Sequence, residues 1–343
     1  MKFIHAADIH IDSALAGLSA HDDAPVELLR TATRTAFSAL IDRAIEERVA
    51  FIIIAGDLYD TDWKEYNTGF FFNREMARLN AVGIIAIVLY GNHDAENDMT
   101  KKLTAPPNVR VFDSAKAHTI RLEELRVALH GQSFKQADMR ENLVPGYPDP
   151  VSGWLNIGVL HTNLQGTIHA PYAPCTLTEL QNKGYAYWAL GHVHLFAILA
   201  EAPWVVFPGN LQGRHVRETG PRGAVLVTYE DGELRRPQRL LVDVVRWAQA
   251  NVDITGTQTR EEVVAKVGQV FRHILDHEAD GRPVACRVVL SGKAAAHGEL
   301  FGQARQLRAE LIAQAINVAG DNLWIEKIKV QSQPATCLLY TSP

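Results

Sequence analysis

Two β-sheets packed face to face with helices outside, followed by a small α+β domain, are the fold this sequence predicts. Three observations carry that reading. Up to Tyr90 the chain alternates strand-sized apolar runs with amphipathic helical stretches. Short strands bounded by turn residues then continue to Tyr229, and after about Trp247 longer helices alternate with strands. In order, 2–6 reads as a strand, 25–48 as a helix and 51–55 as a strand. The helix follows from Leu29, Ala32, Ala36, Leu40 and Ala44 recurring at three- and four-residue intervals, with Pro25 suited to the first turn. A helix over 68–80 and a strand over 84–90 come next. Shorter strands are expected at 109–112, 126–130, 156–160, 185–190, 204–207 and 224–229, with a helix near 176–183. Beyond Trp247 the expectation is helix 260–279, strand 284–290, helix 299–318 and strand 323–330. Leu307, Leu311 and Ala315 there form a stripe suited to ordinary core packing.

A chain of 343 residues, 47% hydrophobic and 21% charged, is long enough for a sizeable core and roughly two domains. Its longest apolar runs, 51–55 and 84–89, are far short of a membrane span, and the opening residues lead directly into a polar motif. No signal peptide, transmembrane segment or membrane association is therefore expected. The three cysteines, Cys175, Cys286 and Cys337, are widely spaced and form no metal or redox pattern, which suggests a reducing, cytoplasmic compartment. A formal net charge of -5 argues against holding nucleic acid by bulk electrostatics, so any polyanion contact must be local. Arg214, His215, Arg217 and Arg222, with Lys101 and Lys102, are the candidate basic patches. As charge runs alone they read as solvated surface; their adjacency to the motifs below marks Arg214, His215, Arg217 and Arg222 as candidate nucleic-acid contacts.

Those motifs are five polar clusters, each following an apolar run: Asp8-Ile-His10, Gly56-Asp57-Leu-Tyr-Asp60, Gly91-Asn92-His93-Asp94, Gly158-Val-Leu-His161 and Gly191-His192-Val-His194. Two divalent cations held close together need a mixture of carboxylate, imidazole and amide oxygen, with one carboxylate shared. Asp8, His10, Asp57, Asn92, His161, His192 and His194 supply that mixture at or just past strand ends, where side chains converge at the rim of a sheet. Asp57 is the expected shared carboxylate. Asp8, His10 and His194 would serve one cation; Asn92, His161 and His192 would serve the other. Such a pair activates water for in-line attack on phosphorus and neutralises charge on the phosphate oxygens. His93 directly follows a ligand and is the expected general acid on the leaving oxygen. Asp94 is expected to hold its imidazole or to tune its proton affinity, and Asp60 to support the ligands by hydrogen bonding. Any one cluster alone is commonplace, and an Asn-His-Asp is often only a turn; all five in this order point to phosphoester chemistry.

At these residues the sequence resembles the calcineurin-like metallophosphoesterase superfamily, whose five-part pattern is met in full. From Met1 to about Tyr229 it is most similar to SbcD-type DNA repair exonucleases of the YhaO-like branch. The carriers are Phe3-Ile-His-Ala-Ala-Asp8-Ile-His10-Ile-Asp12-Ser13 and Phe207-Pro-Gly-Asn210-Leu-Gln-Gly-Arg214-His215, with Asp12 standing where many SbcD proteins have a glycine. The resemblance implies an α/β fold, a four-layer α/β/β/α sandwich with a small C-terminal α+β capping domain that positions DNA. The expected division is 1–247 for the nuclease domain, 248–333 for the cap and 334–343 for an irregular tail of truncated or foreign character. It further implies two divalent ions, manganese above all, DNA as substrate, an SbcC-like ATPase as partner and a homodimer. Oxygen and imidazole ligands without thiolate suit manganese, as they also suit iron or zinc. Two other functions are open at this level: a small-molecule phosphodiesterase or phosphatase using the same metals, and a non-catalytic DNA-end adaptor.

Overall fold

Residues 1–15, 25–60, 66–95, 104–164 and 172–335 are described in the structure, a computed structural model. Lys101, Lys102, Cys337 and most of the expected irregular tail lie outside them. The described chain divides into two compact units. One comprises Met1–Ser13, Thr31–Gln212 and Arg222–Asp243; the other comprises Ala14–Arg30, Gly213–Pro221 and Val244–Pro343.

The first unit is built on two sheets. In the seven-stranded sheet, β1 (Lys2–Ala6), β2 (Phe51–Ala55), β3 (Ile85–Leu89) and β4 (Val109–Val111) are parallel. β11 (Gly223–Glu230) adds antiparallel to β1, and β12 (Glu233–Leu234) and β13 (Gln238–Leu241) pair with β11. In the six-stranded sheet, β6 (Val127–Gly131), β7 (Leu155–His161), β8 (Tyr187–Gly191) and β10 (Trp204–Phe207) are parallel. Antiparallel β5 (His118–Leu122) and β9 (Ala197–Glu201) form its two edges. Phe3, Phe51, Ile53 and Ile87 of the first sheet share one buried core with Leu129, Ile157, Tyr187 and Val206 of the second. The sheets therefore face each other, and registered neighbours Phe3 and Phe51 stack at 4.9 Å. Central strands with both faces covered read as continuous apolar runs, and Phe-Ile-Ile-Ile-Ala of β2 is buried at every position.

Helices α1 (Val26–Glu46) and α2 (Tyr66–Ala81) meet through Phe37, Phe71 and Phe72, all buried. Outside the second sheet the covering layer is thinner. It consists of α4 (Leu177–Asn182) and an irregular segment whose Phe134, Leu143 and Tyr147 pack with Leu160 and Trp188. A capping box starts α4, with Thr176 and Glu179 satisfying each other's backbone N–H groups. The second unit contains three parallel strands in the order β14 (Arg246–Asp253), β15 (Val284–Ser291) and β17 (Leu323–Val330). Its core joins them to α5 (Arg260–His277) and α7 (Ala304–Ala319) through Val252, Phe271, Val288, Leu311 and Ile325.

Several elements differ from the sequence reading. Strands β5, β9 and β13 were not expected: β5 and β13 are short and lack a contiguous apolar run, whereas β9 carries one, Ala197 to Ala200, directly after the Gly191–His194 motif and was missed although legible. β14 falls where the sequence changes texture, and its partly exposed face dilutes the apolar signal. The single helix expected over 299–318 is two, α6 (His297–Gly302) and α7, broken at Gly302-Gln303. The tail was expected to lie outside any pattern from 334, yet β18 (Gln333–Pro334) pairs with β16 (Lys293–Ala294). No helix among the described residues is long and apolar enough to cross a membrane.

Candidate metal centre

Parallel strands direct their carboxyl ends to one rim of a sheet. Here β1 leads to Asp8 and His10, β2 to Asp57 and Asp60, and β3 to Asn92 and His93, while β7 ends at His161 and β8 leads to His192 and His194. Three sets of donor atoms converge, each within 4.8 Å: Asp8, His10 and His194; Asp57, His161 and His192; and His10, Asp60 and His93. Asp57 Oδ2 lies 3.4 Å from His161 Nε2 and 3.9 Å from His10 Nε2, so this carboxylate faces histidines of two sets. Asn92 Oδ1 is 3.0 Å from His161 Nε2. All seven expected ligands are thus brought to one place: six make up the first two sets, and Asn92 stands beside His161.

Backbone conformation is part of the construction. Asp8 (φ 51°), His10 (φ 45°), Asp57 (φ 52°) and His192 (φ 97°) all occupy left-handed backbone, which Asp and His tolerate better than most side chains. The motif glycines provide room. Gly56 also has positive φ (96°), and a Cβ there would collide with the His161 ring; one on Gly191 would collide with the Ala55 carbonyl and approach His161 Nδ1 to 2.8 Å. Gly191→Ala is accordingly expected to displace His161 and lower the metal-induced rise in melting temperature, measured by thermal unfolding with and without Mn2+.

The donor set fits divalent cations. His161 Nδ1 donates to the Ala55 carbonyl at 2.9 Å, so Nε2, which faces Asp57 and Asn92, is the nitrogen that would give up its proton to ligate a cation. The Asp8 carboxylate accepts the His192 backbone N–H at 3.1 and 3.0 Å, joining the β1 and β8 loops. Burial raises the Asp8 carboxyl to about 6 despite His194 and His161 nearby. Burial also acts to raise Asp57, but the charges of His161, His10 and His93 and the His161 hydrogen bond overcome it, holding Asp57 below the ordinary carboxylate range. Burial alone would lower His161; the adjacent Asp57 carries it instead to about 9. Buried carboxylates and imidazoles at this density are an arrangement that cations stabilise by neutralising the carboxylates while the imidazoles remain neutral.

His93 Nδ1 lies 3.1 Å from Asp60 Oδ1, while Asp60 is also 3.7 Å from His10 Nδ1. Hydrogen bonds from His10 and His93 hold the Asp60 carboxyl far below its usual range. Two expectations are corrected here. Asp94 does not hold the His93 imidazole. It is buried and accepts the backbone N–H groups of Leu58 (3.1 Å), Tyr59 (2.8 Å) and Gly91 (2.9 Å), binding the loop after β2 to the loop after β3. Asp60 is the carboxylate at His93. Nor is Arg222 a surface cation: it is only 6% exposed, and its Nη1 donates to the His194 carbonyl and to Asn210 Oδ1. Its guanidinium is spent inside the first unit, bracing the loop that carries His194.

Arg214, His215 and Arg217 belong to the second unit. Arg214 N–H donates to Glu218 at 2.6 Å, Arg217 N–H to His215 Nδ1 at 3.2 Å, and Trp247 Nε1 to the Gly213 carbonyl at 2.8 Å. Aromatic neighbours of the ligands escaped the sequence reading: Phe134 meets His161 edge-on at 5.5 Å and Tyr172 meets His192 at 5.2 Å. Neither sits in a motif, so spacing carried no signal for them.

The calcineurin-like phosphoesterase family profile matches residues 1–196, and the profile described as metallophosphoesterase YhaO, middle domain, matches 247–333. The chain is 34% identical over 299 residues to an uncharacterized metallophosphoesterase YhaO of Bacillus subtilis, covering 86% of this chain and 72% of that protein. It is 25% identical over 289 residues to the DNA double-strand break repair protein Mre11 of Sulfurisphaera tokodaii, covering 79% and 70% respectively. A dimetal phosphatase from Danio rerio aligns with a TM-score of 0.43 and 11% identity over 71% of this chain and 98% of its own. With the family pattern spanning more than half its length and a relative at 34% identity, the chain belongs to the calcineurin-like metallophosphoesterases, a family of phosphoester hydrolases with a dimetal centre.

Proposed function

We propose that this chain is a manganese-dependent DNA nuclease, an exonuclease in repair, that hydrolyses phosphodiester bonds. The observation that carries the reading is the meeting of the Asp8–His10–His194 and Asp57–His161–His192 donor sets, with the Asp60–His93 pair beside them. Those sets would hold two divalent ions, which when bound would supply charge neutralisation at the phosphate and lower the pKa of the attacking water. Asp57 is the shared ligand in this reading, and Asn92 completes the second set. His93 donates a proton to the leaving oxygen, its Nδ1–H held by Asp60 so that Nε2 is the nitrogen that transfers. Asp94 fixes the spacing of the two loops that carry Asp57 and Asn92.

DNA is favoured over a small phosphodiester because the Sulfurisphaera relative bears the name of a DNA double-strand break repair protein and the similarity reaches beyond the phosphoesterase motifs, over 79% of this chain. Arg214, His215 and Arg217 are the phosphate contacts in this reading. Arg217→Ala is expected to weaken duplex binding and to reduce the slope of log K against log salt by about one; titrations at several salt concentrations check it, and an unchanged slope would count against the contact. An SbcC-like ATPase partner and a homodimer complete the proposal, and light scattering on the purified protein reads the dimer.

The deciding experiment incubates the chain and its His93→Ala variant with end-labelled linear duplex DNA, with Mn2+ or with chelator. Degradation by the wild type in Mn2+ alone supports the nuclease. Turnover of a small phosphodiester with none of DNA would replace it by a small-molecule phosphodiesterase.

A further inference from the structure

Four residues of the metal centre hang from two strands in different sheets: Asp8 and His10 follow β1, while His192 and His194 follow β8. Between those strands, inside the sandwich, lies a polar residue that the chemistry above does not use. His5 has no exposed surface, and its Nδ1 stands 3.0 Å from the Tyr187 hydroxyl and its Nε2 3.0 Å from the Leu190 carbonyl oxygen. A carbonyl can only accept, so Nε2 carries the proton and Nδ1 accepts from the Tyr187 O–H. One neutral tautomer satisfies both nitrogens. Burial lowers the His5 imidazole to about 3, so this pair of hydrogen bonds persists at neutral pH.

An apolar side chain would fill the same volume among Phe3, Tyr187 and their neighbours without the desolvation cost of an imidazole. What the imidazole adds is direction. Its bonds reach Tyr187 and Leu190 at the two ends of one short stretch of β8, so they oppose sliding of one sheet over the other. His5 lies three residues before Asp8, and Leu190 two residues before His192, whose N–H already donates to both Asp8 oxygens. A slip at His5 would therefore be felt at the ligands.

We infer that His5 is a positioning residue, which by bonding β1 to Tyr187 and Leu190 sets the separation of the Asp8–His10 and His192–His194 pairs and so the affinity of the centre for its cations. The inference rests on the metal-centre reading. Its test is Mn2+ titration of the metal-free protein by calorimetry, alongside thermal unfolding without metal and the kcat and KM of Mn2+-dependent hydrolysis. His5→Leu is expected to weaken Mn2+ binding by about tenfold or more, the scale on which groups that orient metal ligands act, and to lower kcat more than KM changes. Tyr187→Phe, which removes one of the two bonds, should shift affinity in the same direction by less. His5→Gln, whose amide keeps a donor for Leu190, should recover part of the loss. Ile157→Val, a core trim with no hydrogen bond, should lower the melting temperature and leave the affinity alone.

If His5→Leu and Tyr187→Phe bind Mn2+ like the wild type while melting earlier, His5 is only a core residue and the inference is overturned. If His5→Leu does not fold, Tyr187→Phe decides. Failure of the underlying reading looks different: the wild type itself would bind no Mn2+, and the inference would fall with it.

Discussion

Asp57→Asn is expected to cut metal-dependent phosphodiester hydrolysis by roughly 10^3-fold or more, since changing the mere partners of metal ligands already costs ~10–100-fold in affinity or activity. The substitution isolates charge from shape. Asn retains an oxygen that can accept the His93 backbone N–H, now at 3.1 Å from Asp57 Oδ1, so the turn after β3 keeps its anchor. What disappears is a buried carboxylate that faces both His161, at 3.4 Å, and His10, at 3.9 Å. If Asp57 is the shared ligand of the proposed centre, a neutral amide would not balance the charge of two divalent ions, and the loss should reach both sites together. Initial rates in Mn2+, metal stoichiometry and circular dichroism read the three consequences separately. A variant that is folded, binds less metal and hydrolyses nothing supports the shared-ligand role; wild-type rates would remove Asp57 from the centre.

The convergence of the candidate ligands was legible in the sequence for a physical reason. Cations demand donor types that are rarely clustered by chance, and parallel strands place such donors just after apolar runs. Asp8, Asp57, Asn92 and His192 all sit at that junction. The glycines beside them were legible as motif members, though only the structure shows that Gly56 and Gly191 make way for the His161 ring. Contacts between residues distant in sequence were not legible. Asp94 follows His93 directly, so proximity along the chain suggested that they touch; the short helix α3 (Asn92–Ala95) turns Asp94 inward to backbone N–H groups, and Asp60 reaches His93 from the loop after β2. Arg222 likewise looked like one of a basic run, but it immediately precedes β11 and is drawn into the interior to hold His194. The edge strand β5 escaped because a polar, half-exposed face erases the apolar run by which a buried strand announces itself.

His93→Ala is expected to lower kcat on DNA by about 10^2–10^4-fold, the usual worth of a positioned general acid, while leaving Mn2+ binding nearly intact. His93 stands outside the two donor sets assigned to the cations, and it meets Asp60 rather than Asp57 through its ring. Its side chain is 32% exposed, open enough for a substrate oxygen to approach, whereas those of His10 and His161 are fully buried. Leaving-group dependence gives the sharper test. A deoxyribose 3′- or 5′-oxygen departs as a strongly basic alkoxide unless it receives a proton, but a nitrophenolate needs no such help. The variant should therefore lose far more activity on DNA than on bis-p-nitrophenyl phosphate. Equal losses on the two substrates would assign His93 to holding the phosphate or the cations instead. Asp60→Asn should reproduce the same selectivity in weaker form, because it removes the ionised carboxylate at 3.1 Å that keeps the proton on Nδ1 and orients Nε2 for transfer.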